Sequence, residues 1–207
     1  VFIFSVPFWR PIFFQIAVSY NKRTNITSAF LLYRKGGRLW PLLEEQLQAH
    51  QHWCDQPVMI PLLLTENVIE TCHLKLGYSD QDLNDLEEKI GQHEYLNRPR
   101  GDPLKMDFEA TTRKINSTGN RVALNAARLQ SYTQILEKLT EFKDDTFQGR
   151  SCGAEGLEVQ VSGSEVDDKL AYLLDTCRIL LIQAEYEEKR IAGLTQAVRP
   201  ITRMLHK

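Results

Sequence analysis

Between Val166 and Val198 apolar side chains return in alternating steps of four and three, the spacing of a helix that packs along one edge. The a positions are Val166, Leu173, Leu180, Glu187 and Leu194, and the d positions are Leu170, Cys177, Ala184, Ile191 and Val198. Nine of these ten are apolar, and Glu187 is the exception. Ser164 suits the N-cap, Glu165, Asp167 and Asp168 suit the positive end of the helix dipole, and Pro200 predicts a stop or a kink. A second rhythm runs from Asp102-Pro103, N-cap and first helical position, to about Asp144. Phe108, Ile115, Val122, Leu129 and Leu136 recur every seven residues, with the smaller Thr112, Gly119, Ala126, Thr133 and Thr140 as companions. A bulky line beside a small one lets a partner helix come close. At about 1.5 Å per residue the two rods measure roughly 60 and 50 Å. Residues 145–163 between them are rich in Gly and Ser and read as a flexible loop. These features predict a long antiparallel helical hairpin, with seam left over for a second contact such as an oligomer.

The first hundred residues change period. "PIFFQIAVSY" and "NITSAFLLY" alternate as strands around Asn21-Lys22-Arg23-Thr24-Asn25, a hairpin connection without glycine. Gly36-Gly37 ends the strand region, and Leu39, Leu42, Leu43 and Leu47 then mark one face of a helix. A second helix is expected from near Pro57 to Leu76, stopping at Gly77, and Ser79 is expected to cap a short third one, "DQDLNDLEEKIGQHEYL". "NRPRGDP" breaks the chain and reads as a hinge. The expected fold class is mainly α, of α+β type. A small N-terminal β-hairpin with short helices fills residues 1–100, and the long coiled-coil-like hairpin fills 101–207.

Composition narrows the function classes. Twenty-five basic against 27 acidic residues leave a net charge of -2, which argues against a dedicated nucleic-acid binder. Residues 1–20 hold 14 apolar or aromatic side chains, but Arg10, Pro7 and Pro11 interrupt them, so buried strands are expected there and not a membrane span. The four cysteines, Cys54, Cys72, Cys152 and Cys177, share no repeated spacing and read as thiols of a reducing compartment. A start at Val1 and not at Met reads as a fragment or an incomplete gene model.

Candidate chemistry is sparse. "HQHWCD" places His50 and Cys54 four apart, and Cys72-His73 follows, but this is no finger spacing and Cys-x-x-Cys does not occur. The plainer reading is a helix end whose His and Trp53 pack against the sheet. The acidic runs "SDQDLNDLEE" and "SEVDD" lack the EF-hand pattern and read as helix starts and solvated faces. Sequons at Asn25 and Asn116 are discounted, the second for lying inside a helix. The sequence nominates no catalytic, cofactor-binding or metal-ligating residue, and an enzyme is not expected.

"TSAFLLYRKGGRLWPLLEEQLQAH", "WCDQPVMIPLLLTENVIE" and "LLIQAEYEEKRIAGLTQAV" resemble fungal proteins related to CorA-type magnesium transporters. The likeness covers residues 27–200 and is one of element order and local texture. It implies a soluble α/β part leading into a stalk helix, pentameric assembly, and regulation by Mg2+ at subunit interfaces. The Gly-Met-Asn signature and both spans of that family are missing, so no transport residue carries over. Two functions are expected from these readings. One is the extramembrane scaffold of such a transporter, not transport-competent alone and joined to a membrane only through a longer parent chain. The other is a helical protein–protein interaction module that binds itself or a protein partner through its seam. Either is placed in the cytoplasm or at its membrane face.

Overall fold

The computed structural model describes residues 2–9, 12–21, 23–24, 26–33, 39–54, 56–92, 101–102, 105–147 and 156–205. Strands β1 (Phe2–Trp9), β2 (Ile12–Asn21) and β3 (Ile26–Tyr33) precede helices α1 (Leu39–Ala49), α2 (Met59–Ile90), α3 (Phe108–Phe147) and α4 (Gly156–Leu205). The fold is mainly helical with a small N-terminal sheet, as the pattern predicted. It divides into two compact units, each assembled from separated stretches. Unit 1 holds Val1–Glu70 with Ser131–Cys177, and unit 2 holds Thr71–Gln130 with Arg178–Lys207.

In unit 1 the sheet is an antiparallel meander in the order β1-β2-β3. The expected β2–β3 hairpin forms without glycine because Asn21 supplies the turn. Its Oδ1 accepts from the amides of Arg23 at 3.0 Å and Thr24 at 3.4 Å. β2 turns Ile16 and Val18 into the core, so their partners Leu31 and Ala29 share the inward face. The start of α2 is buried almost all round: Pro61 through Thr65 are consecutive buried residues. Two polar groups there are satisfied locally. Thr65 Oγ1 donates to the Pro61 carbonyl at 2.7 Å, and Asn67 Nδ2 donates to Gln46 Oε1 at 2.6 Å and to the Leu63 carbonyl. Tyr132, Leu136 and Leu139 of α3 and Val166, Leu170, Leu173 and Cys177 of α4 complete the buried set.

Unit 2 is a three-helix arrangement. Leu83, Leu86 and Ile90 of α2, Ile115 of α3, and Leu194 and Val198 of α4 form one apolar cluster. Gly119 faces Ile191, where a Cβ would lie 3.4 Å from the Ile191 side chain, so α3 and α4 approach closely. Residues rise along α3 from Ile115 to Gly119 as their partners on α4 fall from Leu194 to Ile191, which makes the pair antiparallel. α2 runs parallel to α4, because Asp80, Asn84 and Glu87 meet Arg190 while Leu86 and Ile90 meet Leu194 and Val198. The hairpin is therefore real, and α2 is a third wall that the sequence reading did not assign to it.

Every a and d position of α4 from Val166 to Val198 is buried except Ile191, which is half-buried. On α3 the bulky line holds from Ile115 onward, but its companion line sits one residue earlier than expected. The buried positions are Thr111, Thr118, Asn125, Tyr132 and Leu139, not Thr112, Gly119, Ala126, Thr133 and Thr140.

Several helix ends are corrected. α2 passes straight through Gly77, because buried Leu76, Ser79 and Leu83 continue its core stripe and outweigh the roughly 1 kcal/mol cost of one glycine. Ser79 caps nothing; its Oγ donates back to the Lys75 carbonyl at 3.0 Å. The stop is Gly91, at φ 75°, where the Gly91 amide donates to Glu88 and the Gln92 amide to Glu87. This closes the helix as a Schellman motif. α3 begins at Phe108, with Asp107 and not Asp102 as N-cap, its Oδ1 accepting from the Ala110 amide at 3.0 Å. α4 begins at Gly156, eight residues before the expected Ser164 cap, and continues past Pro200 to Leu205. No proline precedes Ser164 in that added segment to forbid a longer helix. The middle of the expected 145–163 loop, and most of the hinge at "NRPRGDP", lie outside the described residues.

Candidate functional site

The densest polar chemistry lies in unit 2, where the acidic run of α2 meets basic residues of α3 and α4. Arg190 Nε and Nη2 donate to Glu87 Oε1 and Oε2 at 2.7 and 2.8 Å, a bidentate pair. Its Nη1 reaches Asp80 Oδ1 at 2.5 Å, and Nη2 reaches Asn84 Oδ1 at 2.6 Å. These contacts raise the guanidinium pKa, first through the Glu87 hydrogen bond. Arg121 of α3 donates from Nε to Ser79 Oγ at 2.8 Å and also pairs with Asp82. Lys114 lies 2.9 Å from Asp82 and 3.7 Å from Asp85. Burial pushes the Asp82 carboxyl up, but Lys114 and Arg121 outweigh it and hold it below its ordinary value.

Glu187, the odd member of the α4 seam, stands in this layer with 1% exposure. Gln183 Nε2 donates to its Oε1 at 2.9 Å, while Oε2 has no hydrogen-bond partner. Burial drives its carboxyl pKa up to about 7, from an ordinary 4.5. The Gln183 hydrogen bond opposes that rise, Asp80 adds to it, and Arg190 and Arg121 oppose it. Asn125 of α3 is also buried, and its Nδ2 lacks a partner although its Oδ1 accepts from Arg128 at 3.3 Å. The layer joins three helices by charge where an apolar layer would join them by contact. It fixes their register, since a one-turn slip would strand Arg190 away from Glu87.

The residues singled out for metal chemistry do not converge. In unit 1, α1 ends at Ala49 and Gln51–Trp53 form a single 3-10 turn, so His50 and Cys54 do not share a helix face. His50 Nδ1 lies 2.9 Å from the Gln46 carbonyl, and its ring sits 4.4 Å from that of Trp53. His52 Nε2 lies 2.8 Å from Glu165 Oε2, and Trp53 Nε1 donates to the same oxygen at 2.8 Å. These two contacts hold the Glu165 carboxyl below its ordinary pKa, Trp53 being the larger cause. His52 and Trp53 thus engage α4 by hydrogen bond, while His50 bonds back to α1. Cys54 is exposed; Cys72 is buried in unit 2, where burial pushes its thiol up. Among the described residues no group of three or more His, Cys, Asp or Glu could hold a metal ion.

The acidic run of α2 is not mainly a solvated face, whereas Glu165, Asp167 and Asp168 of the second run are exposed as expected. Asp80, Asp82, Asp85 and Glu87 pair across helices as described, and Asp167 pairs with Lys143 in unit 1, as Glu66 does with Lys169. Outward, α4 carries a different signal. Ile179, Ile182 and Tyr186 are 65%, 68% and 60% exposed, at helical spacing beside the buried seam. Arg190 lies over the Tyr186 ring, 5.7 Å from its centroid. Among the described residues no helix is long and apolar enough to cross a membrane. Compared with known proteins, the chain matches no family model, no curated protein and no solved structure.

Proposed function

We propose that this chain is a non-catalytic helical scaffold that makes protein–protein contacts, with itself or a partner, through the outer face of α4. The observation that carries this reading is the exposed line Ile179, Ile182 and Tyr186. The seam beside it is already buried within the chain, so the two lines have different jobs. Three large apolar side chains on one helical face leave a cost in water that association removes. The spacing of three and four suits a partner helix laid along α4. The ion-paired layer beneath supports the same reading, because it fixes three helices in one register and so presents the outer face rigidly.

Light scattering on the purified chain across a concentration series tests this. A reversible oligomer that Ile179→Lys with Ile182→Lys abolishes, at unchanged helicity, is the expected result. An oligomer that this double variant leaves intact would overturn the assignment of the face.

A second reading is the extramembrane scaffold of a CorA-like magnesium transporter relative. It is supported by the likeness of the segments quoted above and by the long α3–α4 hairpin. It predicts coding sequence beyond Lys207 with two apolar spans and Gly-Met-Asn, and an oligomer that responds to Mg2+. A Mg2+-indifferent oligomer favours the interaction module instead.

A further inference from the structure

The outward face of α4 carries ordered charge. Ile179, Ile182 and Tyr186 form its apolar line, and Arg178 and Glu185 stand seven residues apart, which puts both on one flank of that line. Both are exposed, as the apolar three are. Glu185 pairs with Lys189 one turn on, at 2.8 Å, and this contact holds its carboxyl below the ordinary value, so it is ionised at neutral pH. An ion pair between two exposed side chains adds little, and a carboxylate accepts from more than one donor. Glu185 can therefore take a second cation. Arg190, anchored in the ionic layer, lies over the Tyr186 ring and steadies it on the face. All of these residues belong to unit 2.

We propose, resting on the reading of the outer α4 face as the contact surface, that its occupant is a second copy of the chain, with α4 laid antiparallel about a two-fold axis at Ile182. Charge selects this occupant. A two-fold axis across antiparallel helices brings equal flanks together. Arg178 lies four residues before the axis and Glu185 three after it. Arg178 of each copy therefore meets Glu185 of the other within about 1.5 Å of the same height. Ile182 meets Ile182, and Ile179 falls between Ile182 and Tyr186 of the second copy. The strip is thus its own complement when reversed, in charge and in apolar contact. A parallel copy puts these flanks on opposite sides of the interface, where Arg178 and Glu185 do not meet. The shared contact runs from residue 178 to residue 186, about 12 Å of helix. That is the scale of a weak and reversible association.

Sedimentation equilibrium on the full chain tests this, over a series reaching on the order of 1 mM. A monomer–dimer equilibrium with no larger species is the expected result. Arg178→Glu and Glu185→Arg, each alone, are expected to weaken the dimer about tenfold at low salt, since each turns two attractions into two repulsions. Both changes in one chain restore the dimer, and so does mixing the two single variants. Added salt narrows the gap. Circular dichroism of every variant is expected to match the parent chain. Should Arg178→Glu fail to fold, Glu185→Arg and the stoichiometry of the unaltered chain still decide. An oligomer that Ile179→Lys with Ile182→Lys abolishes, but that the charge reversals leave unchanged, would overturn the antiparallel pairing and keep the face. A monomer at every concentration, or an assembly larger than a dimer, would overturn the second copy as its occupant.

Discussion

Replacing Glu187 by Gln keeps the shape of the side chain and removes its ionisation. The folded chain holds the carboxyl proton up to about pH 7, while an unfolded Glu releases it near 4.5. Between those values the folded state binds more protons than the unfolded state, so stability falls as pH rises through this window. At about 1.4 kcal/mol for each pH step, the loss comes to about 3 kcal/mol and is complete above pH 7. Carboxylates held below their ordinary values, such as Asp82, act in the opposite sense and in a lower window, losing stability only in acid. Glu187→Gln is therefore expected to resemble the parent chain near pH 4.5 and to exceed its stability by about 3 kcal/mol at pH 8. Urea denaturation of both chains at pH 4.5, 6 and 8 measures the difference, and the subtraction removes every other titrating group. Near pH 6 the parent chain is also expected to release close to one proton on unfolding that the variant does not release. A stability difference that stays flat from pH 4.5 to 8 would refute the argument, and would mean that Glu187 is ionised and matched by Arg190 and Arg121 throughout.

Three further outcomes follow from the packing. Arg190→Ala leaves Glu87 and Asp80 without their cation and is expected to destabilise by about 3 kcal/mol, read from the urea midpoint at constant m. Gly77→Ala adds a Cβ with nothing within 4 Å of it in the middle of a helix. It is expected to stabilise by up to about 1 kcal/mol, so a lowered melting temperature would contradict the continuous α2. Leu180→Asp places an unpaired charge at a buried seam position and is expected to abolish the cooperative melt followed by circular dichroism.

The α4 seam was legible because its signal is apolar and local: a heptad of Leu, Val, Ile and Cys needs no partner to be seen. The companion line of α3 was misplaced by one residue for the same reason. Its true members in unit 2, Thr111, Thr118 and Asn125, are polar, and a search for apolar periodicity cannot prefer them over Thr112 or Gly119. Gly77 looked like a terminator because glycine's cost is local, whereas the burial of Leu76 and Leu83 that overrides it is tertiary. The ionic layer escaped notice since its partners are remote in sequence: Arg190 lies 103 residues from Glu87. A usable trace did exist. Asp80, Asn84 and Glu87 fall at helical spacing beside an apolar stripe, and Glu187 interrupts an otherwise apolar seam three residues before an arginine. The missing glycine in the β2–β3 turn lowered the hairpin signal, which Asn21 supplies by another route.

Each unit borrows from three helices, and every one of those helices also serves the other unit. Dividing the chain in two near residue 100 thus robs both bodies of a wall at once. Fragments from such a cut are expected to be recovered as paired halves that must be co-expressed, and not as free-standing pieces.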